Sequence, residues 1–118
     1  MVVNYDEWGG FFDHVAPSTA PDEHPEWALR GFRVPCLVVS PLARRRHVAH
    51  QIFDHASILK MIEWRWGLAP LTARNDSAVN LAHALDFDSQ PNLTAPRYDV
   101  PPFAGNPCPA GGFADYEE

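Results

Sequence analysis

The sequence predicts part of an α/β domain, on three observations. Residues 32–41 (FRVPCLVVSP) are a nearly continuous apolar run between prolines, residues 56–66 carry apolar side chains at helical spacing, and few other segments are β-prone. A buried central strand needs neighbours on both sides, and this chain has too few strands to build a covered sheet alone. Its 118 residues are the length of one ordinary domain.

In chain order, Val2-Val3-Asn4-Tyr5 is short and β-prone. It runs into Asp6-Glu7 and then Gly9-Gly10, a pair able to adopt backbone angles closed to other residues, so a strand ending in a loop is expected. Residues 15–31 hold three prolines and scattered charges with no sustained period, the pattern of a long surface loop. The run at residues 32–41 reads as a strand buried on both faces of a parallel sheet, which implies helices on both sides. Over residues 56–66, Ile58, Leu59, Ile62 and Trp66 share one helical face, while Lys60, Glu63 and Arg65 face solvent. Asp54 and Ser57 are N-terminal cap candidates, and Gly67 with Pro70 stops the helix. A shorter helix is expected over residues 77–85, after Asn75-Asp76, burying Leu81, Ala82 and Leu85. From residue 89 onward the chain is proline-rich (Pro91, Pro96, Pro101, Pro102, Pro107, Pro109) and ends in Asp115-Tyr116-Glu117-Glu118. The expected organisation is therefore a folded segment over 1–88 and an irregular or disordered acidic tail over 89–118.

A net charge of -6 argues against a general nucleic-acid binder, and the single basic run, Arg44-Arg45-Arg46, is too short to reverse that. Cys36 and Cys108 give neither a disulfide framework nor a zinc signature. No apolar run approaches the ~20 residues that span a bilayer, and the N-terminus lacks the form of a signal peptide.

Successive strand residues point to opposite faces, so Asp6 and Glu7 converge on one ion only where the strand breaks into a loop. Two carboxylates suit part of a hard-cation site; the same pair also reads as a solvated acidic turn. His47 and His50 would share a helical face, but no third ligand follows at a zinc spacing. His55 stands at a helix entrance, where anions are favoured, and Asp54 beside it reads first as a cap. The arginine triplet follows the apolar strand, on the side where α/β sheets bind ligands, and reads either as a phosphate contact or as a solvated loop. Trp64 and Trp66 read as core or sheet-packing residues.

Four blocks, NYDEWGGFFDHVAP, GFRVPCLVVSP, VAHQIFDHASILKMIEWRWGLAPLTARN and NLAHALDFD, taken in this order and spacing, resemble the C-terminal part of the bacterial phosphoesterase family. That family contains the non-haemolytic type phospholipases C and related acid phosphatases, and belongs to the alkaline-phosphatase-like superfamily. The resemblance spans residues 2–88 and implies the C-terminal fragment of a doubly wound sheet that hydrolyses phosphate esters, phospholipids among them, with a divalent metal ion near the strand ends. It implies that Asp6 and Glu7 are metal ligands, and that His14 and His55, in the DHV and FDH blocks, contact phosphate or support the site. Family members carry a hydroxyl nucleophile and a further acidic-amide metal pair in an N-terminal half, and no residue here matches either. The expectation is thus an incomplete hydrolase; the alternative is a non-catalytic fragment that needs an N-terminal partner segment to complete its sheet and site. A sulfatase or phosphomutase of the same superfamily is a further alternative. Family members are often exported, which leaves the location of this chain open.

Overall fold

In a computed structural model the chain is described over residues 1–95 and 97–102. Two strands, β1 (Val2–Asn4) and β2 (Cys36–Val38), pair antiparallel with Val2 opposite Val38, Val3 opposite Leu37 and Asn4 opposite Cys36. The ribbon continues one residue past each end: Val39 N–H donates to the Met1 carbonyl (2.8 Å) and Tyr5 N–H to that of Pro35 (3.2 Å). Pro35 has no N–H to return, so the ladder stops there.

The apolar run at residues 32–41 is therefore corrected in three respects. Its strand is three residues long, pairs antiparallel, and leaves Leu37 65% exposed. An unbroken apolar run signals double burial only where layers lie on both faces, and among the described residues no helix packs on this ribbon. The loop over residues 15–31 is more ordered than its composition suggests. It folds back on itself through an isolated bridge between Thr19 and Leu29, with Ala20 N–H donating to the Ala28 carbonyl and Arg30 N–H to that of Ser18, each at 2.8 Å. A 3-10 turn over Pro25–Trp27 starts on proline, whose fixed φ suits a first helical position.

Helix α1 (Ala56–Trp66) has the ends that the sequence predicts, and Gly67 closes it at φ 64°, donating its N–H to the Glu63 carbonyl. That left-handed angle is why a glycine stands there. Its buried side is not the expected one. Ala56, Ser57 and Glu63 are buried, whereas Leu59 and Ile62 are exposed. Glu63 is drawn inward because its Oε1 accepts from Leu71 N–H (3.1 Å) and from the buried Asn75 amide (3.2 Å). Lys60 does not simply face solvent either: its ammonium donates to the Asp76 carboxylate at 3.1 Å. Asp54 is not a cap, since its carboxylate is taken by Arg30; the Ser57 hydroxyl accepts from Asp54 N–H (3.0 Å) instead.

The helix expected over residues 77–85 does not form: only a 3-10 turn stands within that range, and an unanticipated short helix precedes it. Helix α2 (Ala73–Ser77) begins on Thr72, whose hydroxyl accepts from Asn75 N–H, and it ends at Ala78 in an extended conformation. A 3-10 turn over Leu81–Ala84 follows, capped by Asn80 accepting from Ala82 N–H at 2.8 Å. Asn80 offers the backbone a competing local bond, which is how such residues interrupt helices. Leu81 is buried as expected. Trp64 and Trp66 are not core residues: they are 55% and 65% exposed, Trp64 tilted against Phe87 and Trp66 lying under Arg65. Of the tail expected over 89–118, residues 89–95 and 97–102 are exposed and carry neither helix nor strand, and Pro96 and residues 103–118 lie outside the described residues. A Cα radius of gyration of 18.6 Å exceeds the ~13 Å of a compact 100-residue chain, as expected where residues 89–95 and 97–102 run exposed without packing.

Candidate functional site

Asp6 and Glu7 lie where β1 ends, in a bend, and both are exposed. Among the described residues neither carboxylate is engaged by a hydrogen bond or an ion pair. The chain then reverses through Gly9 (φ 66°) and Gly10 (φ 78°), with Phe11 N–H donating to the Trp8 carbonyl at 3.3 Å. Two successive left-handed residues would strain any side chain, which accounts for the glycine pair. Trp8 anchors the first limb of this loop on Phe32, ring centroids 4.7 Å apart.

Asp13 anchors the second limb. Its Oδ2 accepts from Arg33 Nε (2.8 Å) and its Oδ1 from Arg33 Nη2 (2.7 Å), a bidentate pair, while Oδ1 also accepts from Val15 N–H at 3.1 Å. The Arg33 guanidinium first, and then the Val15 N–H, hold the Asp13 carboxyl well below its usual range. His14 follows, 81% exposed, with Nδ1 3.7 Å from the Asp13 carboxylate.

His55 reaches the same strand end from the start of α1. Its Nε2 lies 3.1 Å from the Tyr5 carbonyl, one residue before Asp6. A carbonyl only accepts, so Nε2 carries the proton and Nδ1 is the nitrogen left over. Behind His55, Arg30 Nε donates to Asp54 Oδ2 at 2.9 Å and its Nη1 bonds the Ser18 hydroxyl and the Thr19 carbonyl, which ties the loop over 15–31 to the helix entrance.

The structure thus brings Asp6, Glu7 and His55 to one end of β1 and leaves His14 on the far limb of the glycine loop. The donor set fits half of a hard-cation site: two uncommitted carboxylates, where such an ion takes about six oxygens. Among the described residues no group of three His, Cys, Asp or Glu side chains is placed to hold a metal ion. His47 and His50 are exposed, while Arg44 and Arg45 of the arginine triplet border an open groove of about 470 Å³ with His47, Asp86 and Ser89. The two arginine clamps escape sequence reasoning because their partners stand 20 and 24 residues away. The only available signal is that Asp13 and Arg33 sit in neighbouring blocks of the resemblance.

The sequence model of the Phosphoesterase family matches residues 1–69. Phospholipase C B of Mycobacterium tuberculosis is 40% identical across 86% of this chain, which covers 24% of that protein. Non-hemolytic phospholipase C of Pseudomonas aeruginosa is 33% identical across 58% of the chain, covering 14% of its own length. The similarity extends to plants, with non-specific phospholipase C3 of Arabidopsis thaliana 31% identical across 86% of the chain and 22% of its own length. The chain therefore spans 24% or less of the length of these relatives. No solved structure matches it.

Proposed function

The chain belongs to the Phosphoesterase family, and on that premise we propose that it supplies the metal-holding strand end of a phosphoric-ester hydrolase of the phospholipase C type. The observation that carries this reading is the pair of free carboxylates, Asp6 and Glu7, at the end of β1 beside His55. Both would hold a divalent ion, which when bound supplies Lewis-acid stabilisation of charge on the transferring phosphoryl oxygens. His55 acts on the backbone: by donating to the Tyr5 carbonyl it fixes the residue from which the carboxylates project. The Asp13–Arg33 clamp fixes the other end of the glycine loop, so that the loop presents Asp6 and Glu7 from two anchored limbs. His14, exposed beside that clamp, is the imidazole available to a phosphate oxygen.

In this reading the nucleophile and the remaining ligands belong to sequence that the relatives carry outside the matched part, and the β1–β2 ribbon is one piece of a larger, alkaline-phosphatase-like doubly wound sheet. Phospholipids are the proposed substrate class, since the relatives are named as phospholipases C. Assays of the 118-residue chain with p-nitrophenyl phosphate and with phosphatidylcholine, each with added Mn²⁺, test the division of labour. The expected result is no turnover above buffer. Metal-dependent turnover lost in Asp6→Ala would place the nucleophile within residues 1–118 and overturn it.

A second reading, a non-catalytic fragment that completes its sheet on a partner segment, is favoured by one observation. The ribbon exposes apolar side chains, Val3 at 46% and Leu37 at 65%, that a neighbouring layer would cover. Sedimentation of the chain as a monodisperse, cooperatively folding monomer would count against it.

A further inference from the structure

The arginine triplet plays no part in the strand-end site, and its surroundings are built rather than loose. Residues 41–44 and 84–92 are pinned together by Asp86 N–H donating to the Leu42 carbonyl (2.7 Å), Asn92 N–H to that of Pro41 (2.8 Å) and Arg44 N–H to that of Ala84 (3.1 Å). An isolated bridge joins Ala43 to Leu85. The groove along this seam is lined by Arg44, Arg45, His47, Asp86, Ser89 and Gln90, together with apolar residues 41–43. Arg44 is oriented by its Nε, which donates to the His83 carbonyl at 3.1 Å and leaves the rest of its guanidinium fork without a partner among the described residues. Neither Arg45 nor His47 makes a hydrogen bond or ion pair among the described residues. The one lining carboxylate, Asp86, turns inward on its own loop: Oδ1 accepts from the N–H groups of Asp88 and Ser89, both at 3.1 Å. Ser89, through its hydroxyl and then its N–H, followed by the Asp88 N–H and lastly the charge of Arg44, holds the Asp86 carboxyl below its usual range, so it stays ionised and is met mainly on its own loop.

We propose that this groove binds a phosphate-bearing anion through Arg44 and Arg45, with His47 and the Gln90 amide as further donors. Two guanidinium groups outnumber the single carboxylate, on a chain whose overall charge of -6 repels anions elsewhere. Guanidinium forks match phosphate oxygens two at a time, a geometry that lysines do not offer. The choice of phosphate among anions rests on the phosphoesterase reading, while the charge and the pinned seam stand without it. The site is distinct from Asp6 and Glu7, and the two fail separately.

The test titrates the full chain with inorganic phosphate, following backbone amide resonances, and floats it with vesicles of phosphatidylcholine alone or mixed with phosphatidic acid. The expected result is saturable shifts at Arg44, Arg45, His47 and Ser89, with Kd raised about tenfold or more in Arg45→Glu and unchanged in Asp6→Ala/Glu7→Ala. Flotation only with phosphatidic acid, lost in Arg45→Glu and without shifts from free phosphate, assigns the groove to a lipid headgroup phosphate and also supports it. Arg45 is exposed and makes no hydrogen bond or ion pair among the described residues, and His47→Ala provides a second variant weakening the same binding. No response to either probe, wild-type binding by both Arg45→Glu and His47→Ala, or binding lost instead in Asp6→Ala/Glu7→Ala would overturn the proposal.

Discussion

Among the described residues, every buried side chain except Ala20 lies in the corner formed by α1, α2 and the 3-10 turn after them, whereas β1, β2 and the glycine loop bury none. The two regions also treat their polar groups differently. In the corner, Glu63 Oε1, Asn75 and Thr72 bond one another and the backbone around them, Glu63 Oε2 is buried without a partner, and Lys60 closes onto Asp76. At the strand end, Asp6 and Glu7 make no hydrogen bond or ion pair among the described residues, and Phe11 and Phe12 stand 76% and 90% exposed. Burying a polar group without a partner is costly, and the carboxylates drawn into the fold, Asp54 and Glu63, each have one oxygen bonded, whereas Asp6 and Glu7, with neither oxygen engaged among the described residues, are exposed. Stability and chemistry are therefore separable in this chain, and substitutions can tell them apart.

The largest effect on stability is expected at the joint between the regions. Arg30→Ala removes the guanidinium that holds Asp54 with both side chains only 17% exposed, and leaves a carboxylate whose other oxygen, Oδ1, is already buried without a partner. Breaking such a pair from one side costs about 3 kcal/mol, to be read as a lower urea midpoint of the helical circular dichroism signal. An unchanged midpoint would mean that the loop over residues 15–31 does not contribute to the stability of α1. Next comes Glu63→Ala, which strands the Leu71 N–H and the Asn75 amide and should cost about 2 kcal/mol by the same measurement. If Asp6→Ala/Glu7→Ala proved as destabilising as either, the separation of the two regions would fail.

The smallest effect is an acid-dependent one at the strand end. Asp13 is held below its ordinary pKa of 3.8, chiefly by Arg33. A carboxylate depressed in this way stabilises the fold above its unfolded value, and that contribution is lost as pH falls from about 4 through the folded value. Carboxyl carbon resonances should show the half-buried Asp13 titrating below 3.8, and Arg33→Ala should return it toward that value. A titration unmoved by Arg33→Ala would show that the clamp does not persist in solution.

Helix α1 was legible because Gly67 must follow it and apolar side chains recur within it. Its buried face was not, since the partner that turns Glu63 inward, Asn75, is 12 residues further on and in another element. Apolarity alone marked residues 32–41 as a strand, but a hydrophobic run does not say whether anything covers it, and here Leu37 is exposed. The 3-10 turn that replaces the helix expected over residues 77–85 had a readable cause in the side chain of Asn80, and the short helix before it had one in Thr72, three residues before Asn75. At the site, the glycine pair announced the turn and the resemblance pointed to Asp6 and Glu7. The contact of His55 with a backbone carbonyl 50 residues away carried no sequence signal at all.

Isothermal titration of the chain with Mn²⁺, wild type against Asp6→Ala/Glu7→Ala, bears most directly on the strand end as the seat of the chemistry. Saturable binding near one ion per chain that disappears in the double variant, with the urea midpoint unchanged, is the predicted result. Indistinguishable titrations of the two proteins would contradict it, and the carboxylates at the end of β1 would then be an acidic turn and nothing more.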